Sequence, residues 1–186
     1  MATKFTSVRK SVLTAVFIAM CVVLPMAFHT VPNAGSIFLP MHIPVLLCGL
    51  MCGWPYGLVC GLLGPFLSSF TGMPPMAVLP GMMVECGVYG LVTGLMMKFI
   101  RTGKLLPDVY ISMAVAMVLG RVVGGIAKAL FIAINATGDA FTLGLWATSY
   151  FVTALPGIAV HLILVPLLVT VLMKTKVIPS RYSKVA

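Results

Sequence analysis

Apolar residues run along this chain in long blocks, and the polar positions that interrupt them fall in small groups at wide spacing. Six blocks predict six helices, over residues 11–29, 40–52, 57–70, 76–100, 108–136 and 143–174. Most of them reach or exceed the ~20 apolar residues that cross a bilayer core, so the pattern predicts an all-α integral membrane protein of six transmembrane helices. The second and third blocks are short. Thirteen or so residues at ~1.5 Å each reach ~20 Å, against a hydrocarbon core of ~30 Å. They must form a re-entrant hairpin or be shielded by longer neighbours, and either arrangement leaves the orientation of the other spans unchanged.

Within the short pair, Gly49, Gly53, Gly57 and Gly61 recur every fourth residue, and Trp54-Pro55-Tyr56 interrupts them. Glycines spaced by four share a helix face, where missing side chains let another backbone approach closely. Pro55 disfavours helix at Trp54 and removes a donor, which predicts a turn there. The two arms are expected to pack on each other, on the fourth span at Gly90 and Gly94, or on the fifth at Gly120 and Gly124.

Composition agrees with the pattern. The chain has 186 residues, of which 61% are hydrophobic and 8% charged, and its mean hydropathy is +1.15. A soluble domain of this length needs far more charge to cover its surface. The chain is expected to be a single transmembrane domain over residues 1–186, with the first block a retained helix and not a cleaved signal peptide.

The net charge of +9 does not point to nucleic acid, because its distribution is topological. Ten of the twelve basic residues lie before the first span, in the loop of Lys98, Arg101 and Lys104, or in the tail from Lys174. The loops around Val31, Thr71 and Gly138 carry no Lys or Arg. Cytoplasmic loops collect Lys and Arg, so both termini and the basic loop are expected inside. The five cysteines lie in apolar runs without a CxxC pair, which reads as small buried side chains and not metal ligands.

Charges inside spans are expensive, ~2.5–3.5 kcal/mol each on insertion scales, so each is a functional hypothesis. Three occur: Glu85, Arg121 and Lys128. Counted at ~1.5 Å per residue from the outer ends, Glu85 and Lys128 lie ~12–14 Å deep and Arg121 ~22 Å. Glu85 is therefore expected to meet Lys128 directly, and Arg121 only by stretching outward. One reading is a buried ion pair that fixes helix register, with Arg121 capping carbonyls. The other is that two cations against one carboxylate leave a positive charge for an anionic ligand, paired by charge-assisted hydrogen bonds. His42, Asn135, Trp146 and Tyr150 sit near outer ends and are further candidate ligand contacts, although interfacial aromatic belts also explain Trp146 and Tyr150. His161 falls by count in the inner half of the last span and receives no role.

The stretch "LPMHIPVLLCGLMCGWPYGLVCGLLGPFLSSFTGMPP", beginning at Leu39, resembles the substrate-binding S component of energy-coupling factor (ECF) vitamin transporters. The resemblance is carried by Ile43-Pro44 before a short apolar helix, a Gly-x-x-x-Gly step, Trp54 at a Gly-Pro-like turn, and a second short helix. Trp54 between Gly53 and Pro55 is a small departure. Ala15-x-x-x-Ala19 resembles the alanine motif by which these proteins dock on their coupling subunit. The resemblance implies a binding protein that holds a vitamin or precursor near the outer surface of a bacterial cell membrane, under the loop after the first span. It further implies partners, a transmembrane coupling subunit and two cytoplasmic ATPases, and a toppling motion that carries the ligand inward. With two cations against one carboxylate, pantothenate-like acids or folates are favoured among such ligands over cationic thiamine; the alternative is that Glu85 holds a cation or a ring nitrogen. The chain lacks Gly-x-x-x-x-Gly-Lys-Ser/Thr, so ATP would be used by the partners and no cofactor held here. No HExxH, GxSxG or carboxylate pair appears, which argues against an enzyme or a catalytic residue. A stand-alone carrier would usually show inverted repeats, and no convincing halves are present.

Overall fold

The computed structural model describes residues 6–27, 37–135 and 142–175, without the side chains of Asn135, Leu143 and Leu145. All regular structure among the described residues is helical. The elements are α1 (Ser7–Ala27), α2 (His42–Cys52), α3 (Trp54–Ser69), α4 (Leu79–Phe99), α5 (Leu105–Asn135), α6 (Leu143–Ala147) and α7 (Leu155–Lys174). A π-helical turn, Thr148–Val152, joins α6 to α7. Four stretches are long and apolar enough to cross a membrane: Ser7–Ala27, Leu79–Phe99, Leu105–Ile134 and Thr148–Lys174. Large apolar side chains such as Val23, Phe70, Ile126, Leu130 and Ile163 point outward. An exterior of that kind belongs in hydrocarbon, where helices satisfy their own backbone groups.

The short helix α2 is the centre of the bundle. All eleven of its residues are buried, and α1, α3, α4, α5 and α7 all pack on it. It is thus shielded by longer neighbours, one of the two arrangements that its length allows. Gly53, at φ 97°, ends α2 and starts α3, a left-handed conformation that glycine adopts without steric cost. The turn lies at the level of the first turn of α1, because the Lys10 ammonium sits 5.7 Å from the centre of the Tyr56 ring. It also lies at the level of Gly94, where a Cβ would run into Trp54 and Gly53.

Higher in the bundle, Gly49 and Gly57 meet Gly90, and Gly61 meets the Cys86 carbonyl. The glycine series therefore seats both short helices on α4 and not on α5. Gly120 and Gly124 of α5 instead receive the Tyr89 ring and the Glu85 side chain of α4. From Gly53, α2 climbs only as far as His42, which is level with Glu85. Beyond that point the segment from Ile37 to Met41 takes its place. Ile37 and Phe38 lie directly on Gly157 of α7, and Leu39 turns the chain at φ 50°. A helix too short for the bundle thus ends in its middle, with polar groups gathered at that end.

Candidate functional site

The polar groups come from four elements. Glu85 and Tyr89 are one turn apart on α4, and the Tyr89 hydroxyl donates to Glu85 Oε1 at 2.7 Å. Arg121 of α5 donates from Nε to the same hydroxyl at 3.1 Å. His42, the first residue of α2, places Nε2 3.7 Å from Glu85 Oε1, with its ring centre 5.1 Å from that of Tyr89. His161 of α7 completes the group, its ring centre 6.1 Å from that of His42. Its Nε2 donates to the Leu39 carbonyl at 3.2 Å, the same carbonyl that accepts the His42 backbone N–H at 3.0 Å. All five side chains are buried.

Arg121 also ties in the last segment. One terminal nitrogen donates to the Tyr150 carbonyl, in the π-helical turn. A π turn shifts the helical hydrogen-bond ladder by one residue, which leaves a carbonyl free for a side chain. The guanidinium lies 5.6 Å from the Phe151 ring centre, a cation–π distance. Trp146 donates from its indole to the Arg121 carbonyl at 3.4 Å and rests on Gly125, where a Cβ would strike the indole. Beside Trp146 an apolar groove of about 510 Å³ runs along α5 from Val122 to Ala133. Its lining holds no charged side chain, so it is separate from the polar cluster.

Of the candidates read from sequence, Glu85, Arg121 and His42 come together in the cluster, and Trp146 and Tyr150 border it through Arg121. Lys128 does not meet Glu85. Its Cβ lies 3.3 Å from where a Cβ on Gly81 would be, one turn toward the far end of the bundle, while Gly124 stands opposite Glu85. Register between α4 and α5 is fixed by Gly120 and Gly124, and α5 runs on past the first turn of α4. Counting depth from helix ends therefore misaligned the two. Arg121 is one turn to the other side of Glu85, and the Tyr89 hydroxyl bridges the gap. The Asn135 side chain lies outside the described residues.

Sequence reasoning missed Tyr89 and misplaced His161, which sits beside His42 in the half of the bundle away from Lys10. A signal for Tyr89 was present, since it follows Glu85 by four residues and so shares its helix face. Nothing in the sequence brings residues 42 and 161 together. Ala15 and Ala19 lie on the exposed face of α1, while Thr14, Phe17 and Cys21 of the same helix face inward. The five cysteines are free and buried.

The family model for the substrate-specific component of ECF transporters matches residues 9–169. No curated protein and no solved structure matches the chain.

Proposed function

The chain belongs to the substrate-specific components of ECF transporters, and from that premise we propose that it binds a vitamin or vitamin precursor near the outer face of a bacterial cell membrane. Import is driven by partners, a transmembrane coupling subunit and two cytoplasmic ATPases that hydrolyse the ATP. The observation that carries the reading is the buried cluster of His42, Glu85, Tyr89, Arg121 and His161 inside an apolar bundle. Ionisable groups at that depth are costly and mark sites by default.

The substrate carries a negative charge. Among the described residues, Arg121 is held by neutral acceptors, the Tyr89 hydroxyl and the Tyr150 carbonyl. Lys128 makes no ion pair with Glu85, which instead has the His42 imidazole beside it, Nε2 at 3.7 Å from Oε1. One carboxylate against two cations leaves the site positive, which favours a carboxylate or phosphate and, among vitamin precursors, a pantothenate-like acid. Glu85, Arg121, Lys128 and His42 contact it, with Trp146 and Tyr150 at the border. Both termini face the cytoplasm, as the basic residues at Arg9, Lys10, Lys98, Arg101 and Lys104 support. The exposed Ala15 and Ala19 on α1 dock the coupling subunit, since small residues let helices approach closely.

Affinity purification from the native membrane tests this reading. A coupling subunit and two ATPases are expected to copurify, and mass spectrometry is expected to identify an acidic metabolite released on denaturation. Substrate accumulation by vesicles holding this chain alone would instead establish a stand-alone carrier.

A further inference from the structure

His42 and His161 are each 1% exposed, and neither Nδ1, nor His42 Nε2, has a hydrogen-bond partner. Their other nitrogens decide what those two atoms are. His161 Nε2 faces the Leu39 carbonyl at 3.2 Å. A carbonyl only accepts, so Nε2 carries the hydrogen and the neutral ring presents Nδ1 as a bare lone pair. His42 Nε2 faces Glu85 Oε1 at 3.7 Å. That is longer than a hydrogen bond, yet a carboxylate beside Nε2 favours the tautomer with the hydrogen on Nε2 and the lone pair on Nδ1.

Among the described residues no donor meets these lone pairs. The Tyr89 proton goes to Glu85, and Arg121 directs Nε to the Tyr89 hydroxyl and one terminal nitrogen to the Tyr150 carbonyl. Buried acceptors are nearly always met by a donor, so two unmet ones side by side are informative. Among the described residues no group of three His, Cys, Asp or Glu side chains could hold a metal ion.

We propose that His42 and His161 form the part of the substrate site that reads a neutral hydrogen-bond donor, a hydroxyl or amide N–H, on the substrate. The proposal rests on the reading of the cluster as the substrate site and adds to it. The substrate then has two recognised ends: an anionic group taken by Lys128 and Arg121, and an uncharged donor taken by the imidazoles. An ammonium donor is disfavoured by the same two cations.

Two measurements test it. In histidine-15N-labelled protein in lipid nanodiscs with nothing added, the nitrogen resonances of His42 and His161 are expected to show an unprotonated Nδ1 on both rings. A protonated Nδ1 on either ring overturns the proposal, whatever the behaviour of any variant. The second measurement is equilibrium binding of pantothenate, a carboxylate with hydroxyls and an amide N–H, beside heptanoate, a carboxylate without them. His42→Phe and His161→Phe are each expected to weaken pantothenate about 5- to 150-fold, the range for an unmet hydrogen bond, and to leave heptanoate unchanged. His161→Gln donates to Leu39 and accepts with its own carbonyl, so it should retain more pantothenate affinity than His161→Phe. Equal effects on both probes, or no effect on either, overturn the proposal. Failure of both probes to bind the wild type removes the anionic-substrate reading, and the resonances then decide the imidazole pair by themselves.

Discussion

Replacing Tyr89 with Phe deletes one oxygen and two hydrogen bonds, the one donated to Glu85 and the one accepted from Arg121. Both partners are charged and buried, so the variant is expected to lose about 1.5–3 kcal/mol, or roughly 3–12 °C in melting temperature for a chain of this size. An unchanged melting temperature would show that Glu85 and Arg121 find each other without the hydroxyl. Lys128 is the contrasting residue. Because it stands a turn away from Glu85 and makes no ion pair with it, Lys128→Met is expected to leave the melting temperature as it is. If Lys128 pairs the substrate's charge, the same variant weakens binding of an anionic substrate by about 2–5 kcal/mol, or roughly 30- to 5000-fold. Lost stability that Glu85→Gln restores, with affinity intact, would return Lys128 to the role of a scaffold cation.

Between elements, glycines decide which helix packs on which. A Cβ on Gly90 would land on the Gly57 backbone, and one on Gly57 would strike Gly90 and come within 2.7 Å of the Gly49 Cα. These are backbone atoms that cannot rotate away, so Gly90→Ala must push α3 off α4. Overpacking of this kind costs typically ~1–3 kcal/mol. The check is the melting temperature beside Gly144→Ala, where no atom lies within 4 Å of the added carbon and no loss is expected. On α1 the exposed alanines make a different prediction. Ala15→Trp is expected to abolish uptake in cells while leaving binding by the purified protein nearly unchanged, since the helix face that carries Ala15 points away from the core. Equal loss of both activities would mean that this face packs inside the protein and docks nothing.

For the whole molecule the testable quantity is orientation. Met76 is 70% exposed before α4, and Arg101 is exposed in the basic loop after it. In a cysteine-free background, an impermeant thiol reagent added outside is expected to label Met76→Cys and to spare Arg101→Cys. The opposite labelling would invert the chain and move the substrate site to the cytoplasmic half. The register of α4 against α5 makes the substrate site a property of the assembled bundle, since no single helix supplies both a cation and the carboxylate.

By itself the sequence determined the helical class, the four long spans and the shortness of α2 and α3. These follow from run length, which acts within one element and needs no knowledge of neighbours. It put the turn between α2 and α3 at Trp54-Pro55-Tyr56, whereas the chain breaks at Gly53 and those three residues form the first turn of α3, because proline is tolerated at a helix start. It also marked Glu85, Arg121 and His42, because a polar group in an apolar run stands out wherever the run ends up. Tertiary structure decided which of these meet. Glu85 goes to Tyr89 and His42, and not to Lys128, because Gly120 and Gly124 set the α4–α5 register while helix ends do not align. It also decided that His161 joins His42, a contact between residues separated by most of the chain. Depth along one helix can be counted from a sequence, but the offset between two helices depends on how their surfaces interlock, and that is fixed only when they pack.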